Sequence, residues 1–214
     1  MIKYHTNLVQ GSDEWLAARC GLLTASEMKH IITPAKLQYA KSDTHLYELL
    51  AQRITQYVEP TYISNDMLRG TEDEIEARIK YQECYGMTVD VGFITNDKWG
   101  FTLGHSPDSL VGDDGFLEIK SRRQKFQVET ILEGVMPSDY LIQVQAGLLI
   151  SERKFCDFVS YCGGMHMITV RVEPDQGFKM PSSKQLRHSM PGLLRCWKSS
   201  KPNLSTHRFG LRQQ

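Results

Sequence analysis

Residues 115–121, Gly-Phe-Leu-Glu-Ile-Lys-Ser, constrain this chain more than any other segment. Phe116, Leu117 and Ile119 are the flanks expected of a strand buried in a sheet, yet Glu118 and Lys120 stand among them. Residues two apart in a strand point to the same face, so this carboxylate and this ammonium are predicted side by side. Asp108 ends the preceding extended segment, and a hairpin turn through Asp113-Asp114-Gly115 folds that segment back against the next. Asp108 and Glu118 are thereby expected to converge, with Lys120 beside them. Two carboxylates in one place repel, and a hard divalent cation such as Mg²⁺ relieves the conflict. Such an ion polarises phosphate oxygens and generates hydroxide, while a lysine orients water or screens developing charge. The competing reading of the same residues is an exposed hairpin with a cross-face ion pair; the apolar flanks favour a buried site.

The rest of the chain divides by period. Ser12 precedes a helical segment with Asp13 and Glu14 in its first turn. Thr24 with Glu27, and Thr71 with Glu74, have capping-box spacing, predicting a second helix and a longer one ending at Gly86. Residues 43–58 place Leu46, Leu49, Leu50, Ile54 and Tyr57 on one helical face. Strands are expected over 88–95, 99–105 and 115–121, with a turn at Asn96-Asp97, then a helix over 138–151 and strands over 155–161 and 166–172. This order predicts an α/β domain over residues 1–175 around one mixed sheet, with a mostly helical beginning.

Composition narrows the class. The chain has 214 residues, with 25 cations balancing 25 anions, which excludes a uniformly basic nucleic-acid coat. The balance is uneven: Asp175 is the last acid, and every later charge, from Lys179 to Arg212, is positive. Residues 176–214 therefore read as a basic extension suited to nucleic acid, or as a solvated tail. The five scattered cysteines lack a CxxC pair, so neither a zinc ribbon nor a disulfide scaffold is expected. No apolar leader or membrane span is read, and a cytoplasmic location is expected.

Ser106-Pro107-Asp108 followed by Glu118-Ile119-Lys120 resembles the PD-(D/E)xK nuclease core. More narrowly, the chain resembles the lambda-exonuclease-like family of viral recombination nucleases. Trp15 to Gly21 with Thr24-Ala25-Ser26 resembles that family's W-x-x-x-R-x-G…T-A-S motif. Arg69-Gly70 through Glu74 resembles its G-x-x-x-E helix start, and Tyr140 to Gln145 its Y-x-x-Q-V-Q helix. The resemblance implies an α/β fold, a mixed central sheet flanked by helices. It implies that Asp108, Glu118 and the carbonyl of Ile119 hold Mg²⁺, two ions in all, with Mn²⁺ able to substitute. Lys120 would position water and Glu74 would be an outer acid. Arg19, Ser26, Ser106 and Gln143 would bind the 5′-phosphate of a DNA end. Met67 and Leu68 fall where the family has an apolar wedge.

The implied activity is degradation of one strand of linear double-stranded DNA, 5′ to 3′, leaving a 3′ overhang for phage-type recombination. The implied assembly is a homotrimeric ring around double-stranded DNA, working with a single-strand annealing recombinase. A ring would hold a neutral chain on DNA by enclosure. Outside the resemblance, the residues themselves assign Arg122, Arg123 and Lys125 to backbone phosphates or to a solvated loop. Gln143 and Gln145 diverge by about 200° on a helix and cannot share one role; with the resemblance placing Gln143 at the site, Gln145 is left to satisfy buried backbone. Three alternatives stay open: an endonuclease of the same superfamily, a RecB-like or Cas4-like nuclease, and a non-catalytic DNA-end-binding protein. Cys156 and Cys162 lack the companions that an iron–sulfur cluster of the Cas4 type needs.

Overall fold

A computed structural model describes residues 1–33, 38–39, 43–60 and 64–178. In chain order the elements are β1 (Ile2–His5), α1 (Asp13–Arg19), β2 (Leu23–Thr24), a 3₁₀ helix (Ala25–His30), β3 (Ile32–Thr33), β4 (Gln38–Tyr39), α2 (Asp43–Thr55) and α3 (Asn65–Tyr85). There follow β5 (Phe93–Asn96), β6 (Leu103–His105), β7 (Ser109–Val111), β8 (Gly115–Ser121), α4 (Gln124–Glu133), a 3₁₀ turn (Ser138–Tyr140), α5 (Leu141–Ser151), β9 (Phe155–Tyr161) and β10 (Ile168–Val172).

The architecture is α/β, as expected, but the single sheet is two four-stranded ones, ordered β1-β5-β6-β2 and β10-β9-β8-β7. Each is mixed: β2 runs parallel to β6, and β8 parallel to β9. Between them lies α5, with Ile142, Ala146 and Ile150 packed beside Met28 and Leu103, and Val144 and Leu148 against Phe116 and Phe158. That sandwiching explains why α5 is apolar almost all round. On the opposite face of β8 and β9, Ala77 and Tyr81 of α3 cover Leu117, Ile119, Val159 and Tyr161. β8 is thus buried on both faces, and its alternation sends Glu118 toward α5 and Ile119 toward α3.

Several sequence expectations need correction. Thr71 and Glu74 do not open a helix: α3 starts at Asn65 under a Ser64 cap, and the Thr71 hydroxyl bonds back to the Met67 carbonyl at 3.3 Å. The Thr24–Glu27 box is real, with Thr24 N–H donating to Glu27 at 3.0 Å, but it starts a 3₁₀ helix. The helix expected over 43–58 ends at Thr55, short of Tyr57; Leu46 and Leu49 are buried whereas Ile54 and Tyr57 are exposed. The strand expected over 88–95 shrinks to β5, with Val89 making only a bridge to Leu110. The 99–105 and 166–172 strands shrink to β6 and β10. β1, β7 and α4 were not anticipated, and α4 turns the supposed loop of Arg123 and Lys125 into a helix start. The basic extension beyond Phe178 lies outside the described residues.

Candidate active site

Asp108 immediately precedes β7, whose residues Ser109 and Leu110 pair with Leu117 and Phe116 across the Gly112–Asp114 turn. Its backbone N–H donates to Leu117, and its carboxylate accepts from the Ile119 N–H at 2.5 Å. In extended backbone the N–H and C=O of one residue lie on the same edge, so the Ile119 carbonyl is directed to the edge where Asp108 sits. Glu118 is 2% exposed; one carboxylate oxygen accepts from Lys120 Nζ at 2.5 Å and from Gln143 of α5. Its other oxygen, Oε2, is buried with no hydrogen-bond partner among the described residues. An orphaned carboxylate oxygen in an interior is costly and asks for a cation.

The electrostatics agree. Burial first, then the neighbouring Glu118 charge, push the Asp108 carboxyl well above its ordinary pKa, with Lys120 and the Ile119 N–H opposing. Burial alone would lower the Lys120 ammonium, but Glu118 and Asp108 outweigh it and raise its pKa. Lys120 is therefore a cation in this setting. Among the described residues no group of three or more His, Cys, Asp or Glu side chains is arranged to hold a metal. The candidate donor set is smaller, two carboxylates and one carbonyl. That set fits Mg²⁺, which keeps waters and takes few protein ligands, and the unpartnered Oε2 is the observation in its favour.

Asp108, Glu118 and Lys120 line one cleft of about 240 Å³ together with Arg19, Ser26, Ser106 and Gln143. Arg19, at the end of α1, donates to Ser106 Oγ at 3.2 Å and stacks 4.2 Å over the Trp15 ring. Burial pulls its guanidinium below the ordinary pKa, partly offset by Glu27, and among the described residues no carboxylate forms an ion pair with it. Ser26 shares a hydroxyl contact of 3.2 Å with Thr24. Gln145 turns away: its amide donates to the Glu173 carbonyl at 2.9 Å and accepts from Asp175 N–H at 2.8 Å, a purely backbone-satisfying role.

Other expected residues lie elsewhere. Glu74 sits on α3, across the sheet from Glu118, and is held by Arg78 at 2.5 Å, which also binds Asp90. Its charge still raises the Asp108 pKa. Arg122 is buried rather than in a solvated loop, and Arg123 pairs with Asp66. With Lys125 they line a separate concavity. Met67 and Leu68 are exposed at the start of α3.

Two residues of the cleft, Trp15 and Gln10, and Tyr140 beside Lys120 were given no role from sequence. Trp15 Nε1 donates to the Gly92 carbonyl at 2.9 Å and to Ser106 Oγ at 3.1 Å, and Gln10 binds the Pro107 carbonyl at 2.8 Å. Tyr140 places its ring 5.8 Å from Lys120 Nζ. The spacings Trp15–Arg19 and Tyr140–Gln143, one helical turn each, were the available signals.

His105 ends β6 against Phe116 and Gly147 with its Nε2 buried and unpartnered. Burial, then Lys120 and Arg19, lower its pKa to about 3. The folded protein holds it neutral while the unfolded chain protonates near the ordinary histidine value, so its contribution is present above about 6.5 and lost as pH falls. We expect His105→Gln to flatten the acid limb of stability between pH 6.5 and 4, where one such group changes stability by up to ~1.4 kcal/mol per pH unit. Urea titrations across that range check it; parallel slopes for the two proteins would be the contrary result.

The two mixed sheets, the helix between them and the acid–acid–lysine cleft define a protein of the PD-(D/E)xK nuclease class. The chain belongs to the YqaJ-like viral recombinase domain family, whose model matches residues 14–154. It is similar to an alkaline exonuclease, LHK-Exo, from Laribacter hongkongensis, with 32% identity over 86% of this chain and 91% of that one, TM-score 0.69. The same protein in complex with dAMP matches with TM-score 0.70 at equal identity and coverage. No curated protein matches the chain by sequence. No helix among the described residues is long and apolar enough to cross a membrane.

Proposed function

We propose that the protein is a Mg²⁺-dependent exonuclease that degrades one strand of linear double-stranded DNA from a 5′-phosphorylated end, 5′ to 3′, leaving a 3′ overhang for recombination. The observation that carries this reading is one cleft holding both the Asp108–Glu118–Lys120 group and the carboxylate-free Arg19–Ser26–Ser106 group. The first suits phosphodiester hydrolysis. The second suits a terminal phosphate, because a planar guanidinium and hydroxyl donors match its oxygens. The alkaline exonuclease and its dAMP complex support the same class of substrate.

Asp108, Glu118 and the Ile119 carbonyl would hold the metal, two ions with Mn²⁺ as a substitute. Bound there, the metal would supply Lewis-acid polarisation of the phosphate and an acidified water. Lys120, a cation fixed by Glu118, donates hydrogen bonds to water and to a phosphate oxygen rather than abstracting protons. Gln143 holds Glu118 from α5 through the same carboxylate oxygen that accepts from Lys120. Glu74 would act as outer acid after exchanging Arg78 for a water. Arg122, Arg123 and Lys125 would meet backbone phosphates. A homotrimeric ring is part of this reading, with the exposed Ile75 and Ile79 on α3 and Val128 and Leu132 on α4 as candidate subunit contacts. An annealing recombinase completes the proposed pathway.

The test uses linear 5′-phosphorylated and closed circular duplex, each with Mg²⁺ or EDTA, beside Lys120→Ala. We expect the linear duplex alone to be consumed, only with Mg²⁺, with a 5′ label released first and the variant slower by ~10²-fold or more. Cutting of the circle would replace the reading by an endonuclease. Tight end binding without any metal-dependent product would replace it by an end-binding protein.

A further inference from the structure

A second concavity, of about 520 Å³, is lined by Arg69, Asp73, Arg122, Arg123, Gln124 and Lys125 and shares no residue with the catalytic cleft. Arg122 is the informative member. It is 9% exposed, its Nη1 donates to the Tyr140 hydroxyl at 3.1 Å, and its guanidinium lies 5.1 Å from the Phe126 ring centroid. Its Nε is buried without a partner, and among the described residues no carboxylate forms an ion pair with it. A buried guanidinium is ordinarily matched by an anion, and aromatic faces with one neutral hydroxyl do not supply that charge.

The surroundings point to an external anion. The N-terminus of α4 opens at this concavity with Arg123 at the cap position, its side chain turned to Asp66 rather than to the helix's free N–H groups, and with no acid in the first turn. Its leading N–H groups and the helix dipole favour negative charge. Arg69 and Arg123 share Asp66, and Arg69 also reaches Asp73, so two carboxylates face four cations.

Position identifies which anion. Lys120 and Arg122 are two residues apart along one extended chain, roughly 6.6 Å. Tyr140 joins them, its ring near Lys120 Nζ and its hydroxyl on Arg122. For a strand with its end phosphate at Arg19 and its first linkage at Glu118, Arg122 is the next cation along the chain beyond Lys120. We propose that this concavity is a subsite for a backbone phosphodiester of the cleaved strand, downstream of the scissile bond; it rests on the nuclease reading above. It fixes the register of the strand, so that one linkage at a time is presented to Glu118 and Lys120.

The test neutralises phosphates in the DNA. Duplexes carrying one methylphosphonate at each successive linkage of the 5′-ended strand, and a matching set on the other strand, are titrated in EDTA against the full chain, Arg122→Gln and Arg69→Ala. The same substrates are then cleaved with Mg²⁺. One internal linkage of the 5′-ended strand is expected to weaken binding by ~10-fold. Arg122→Gln is expected to bind the unmodified end equally weakly and to ignore the modification at that linkage, since both changes delete one contact. Arg69→Ala gives a smaller loss with the same blunted response, and it decides the matter should Arg122→Gln fail to fold. A flat scan, a minimum confined to the other strand, or equal responses in wild type and variants overturns the subsite. A flat scan with normal cleavage removes the subsite alone. A clear minimum in EDTA with no cleavage of any duplex removes the nuclease reading alone.

Discussion

Glu118→Gln is expected to lower metal-dependent cleavage by ~10³-fold or more, since a metal-held phosphate contributes several kcal/mol of transition-state stabilisation and each 1.36 kcal/mol is tenfold. The amide keeps the shape and can still accept from Lys120, so the loss isolates the charge. Burial and the Glu118 charge both push the Asp108 carboxyl upward in the metal-free protein, so removing one charge relieves repulsion. A raised carboxyl pKa lowers stability as pH climbs above the ordinary carboxylate value, because the unfolded chain releases that proton more readily. Asp108→Asn should therefore melt in EDTA at or above the wild-type temperature near pH 7, whereas Glu118→Gln also gives up the ion pair with Lys120. Single-turnover rates and melting curves check both halves. A Glu118→Gln variant that keeps a tenth of the activity would deny Glu118 its role, and a lower melting temperature for Asp108→Asn would deny the repulsion.

Arg19→Ala should erase the preference for 5′-phosphorylated over 5′-hydroxyl ends, slowing degradation of phosphorylated ends by ~10- to 100-fold, in line with losing a charged hydrogen-bond pair of about 1.5–3 kcal/mol. Degradation of hydroxyl ends should change little. Arg19→Lys should recover part of the preference, since a point charge replaces the planar fork that Ser106 and the Trp15 ring hold in place. Equal slowing on both kinds of end would show that Arg19 acts on the fold or on DNA generally.

The cleft was legible in sequence to the extent that its chemistry rides on local spacing. Glu118 and Lys120 share a face because a strand alternates, and Asp108 meets them because the Asp113-Asp114-Gly115 turn folds β7 onto β8. Gln143 separates from Gln145 by helical geometry, one donating to Glu118 and the other to the Glu173 carbonyl. What local rules missed was set by long-range partners. Ser64 caps α3 where Thr71 had the better motif, and the added turns are held by distant partners, Arg69 donating to Ser121 and Asp66 pairing with Arg123. β1 is a four-residue strand defined by pairing with β5, more than eighty residues away. The solvated-loop reading of Arg122 failed because Tyr140 and Phe126, remote or on an unanticipated helix, bury it.

The parallel register of Glu118 with Phe158 has a consequence for making the protein. Parallel neighbours cannot be joined by a tight turn, so both α4 and α5 emerge from the ribosome before β9 can close the open edge of β8. During that interval Phe116, Leu117 and Ile119 flank unpaired backbone, a template for adhesion between nascent chains. Truncations ending before Phe155 should accumulate as insoluble material rather than as weak enzymes. Chaperone supply during expression, more than promoter strength, should then set the yield of active protein.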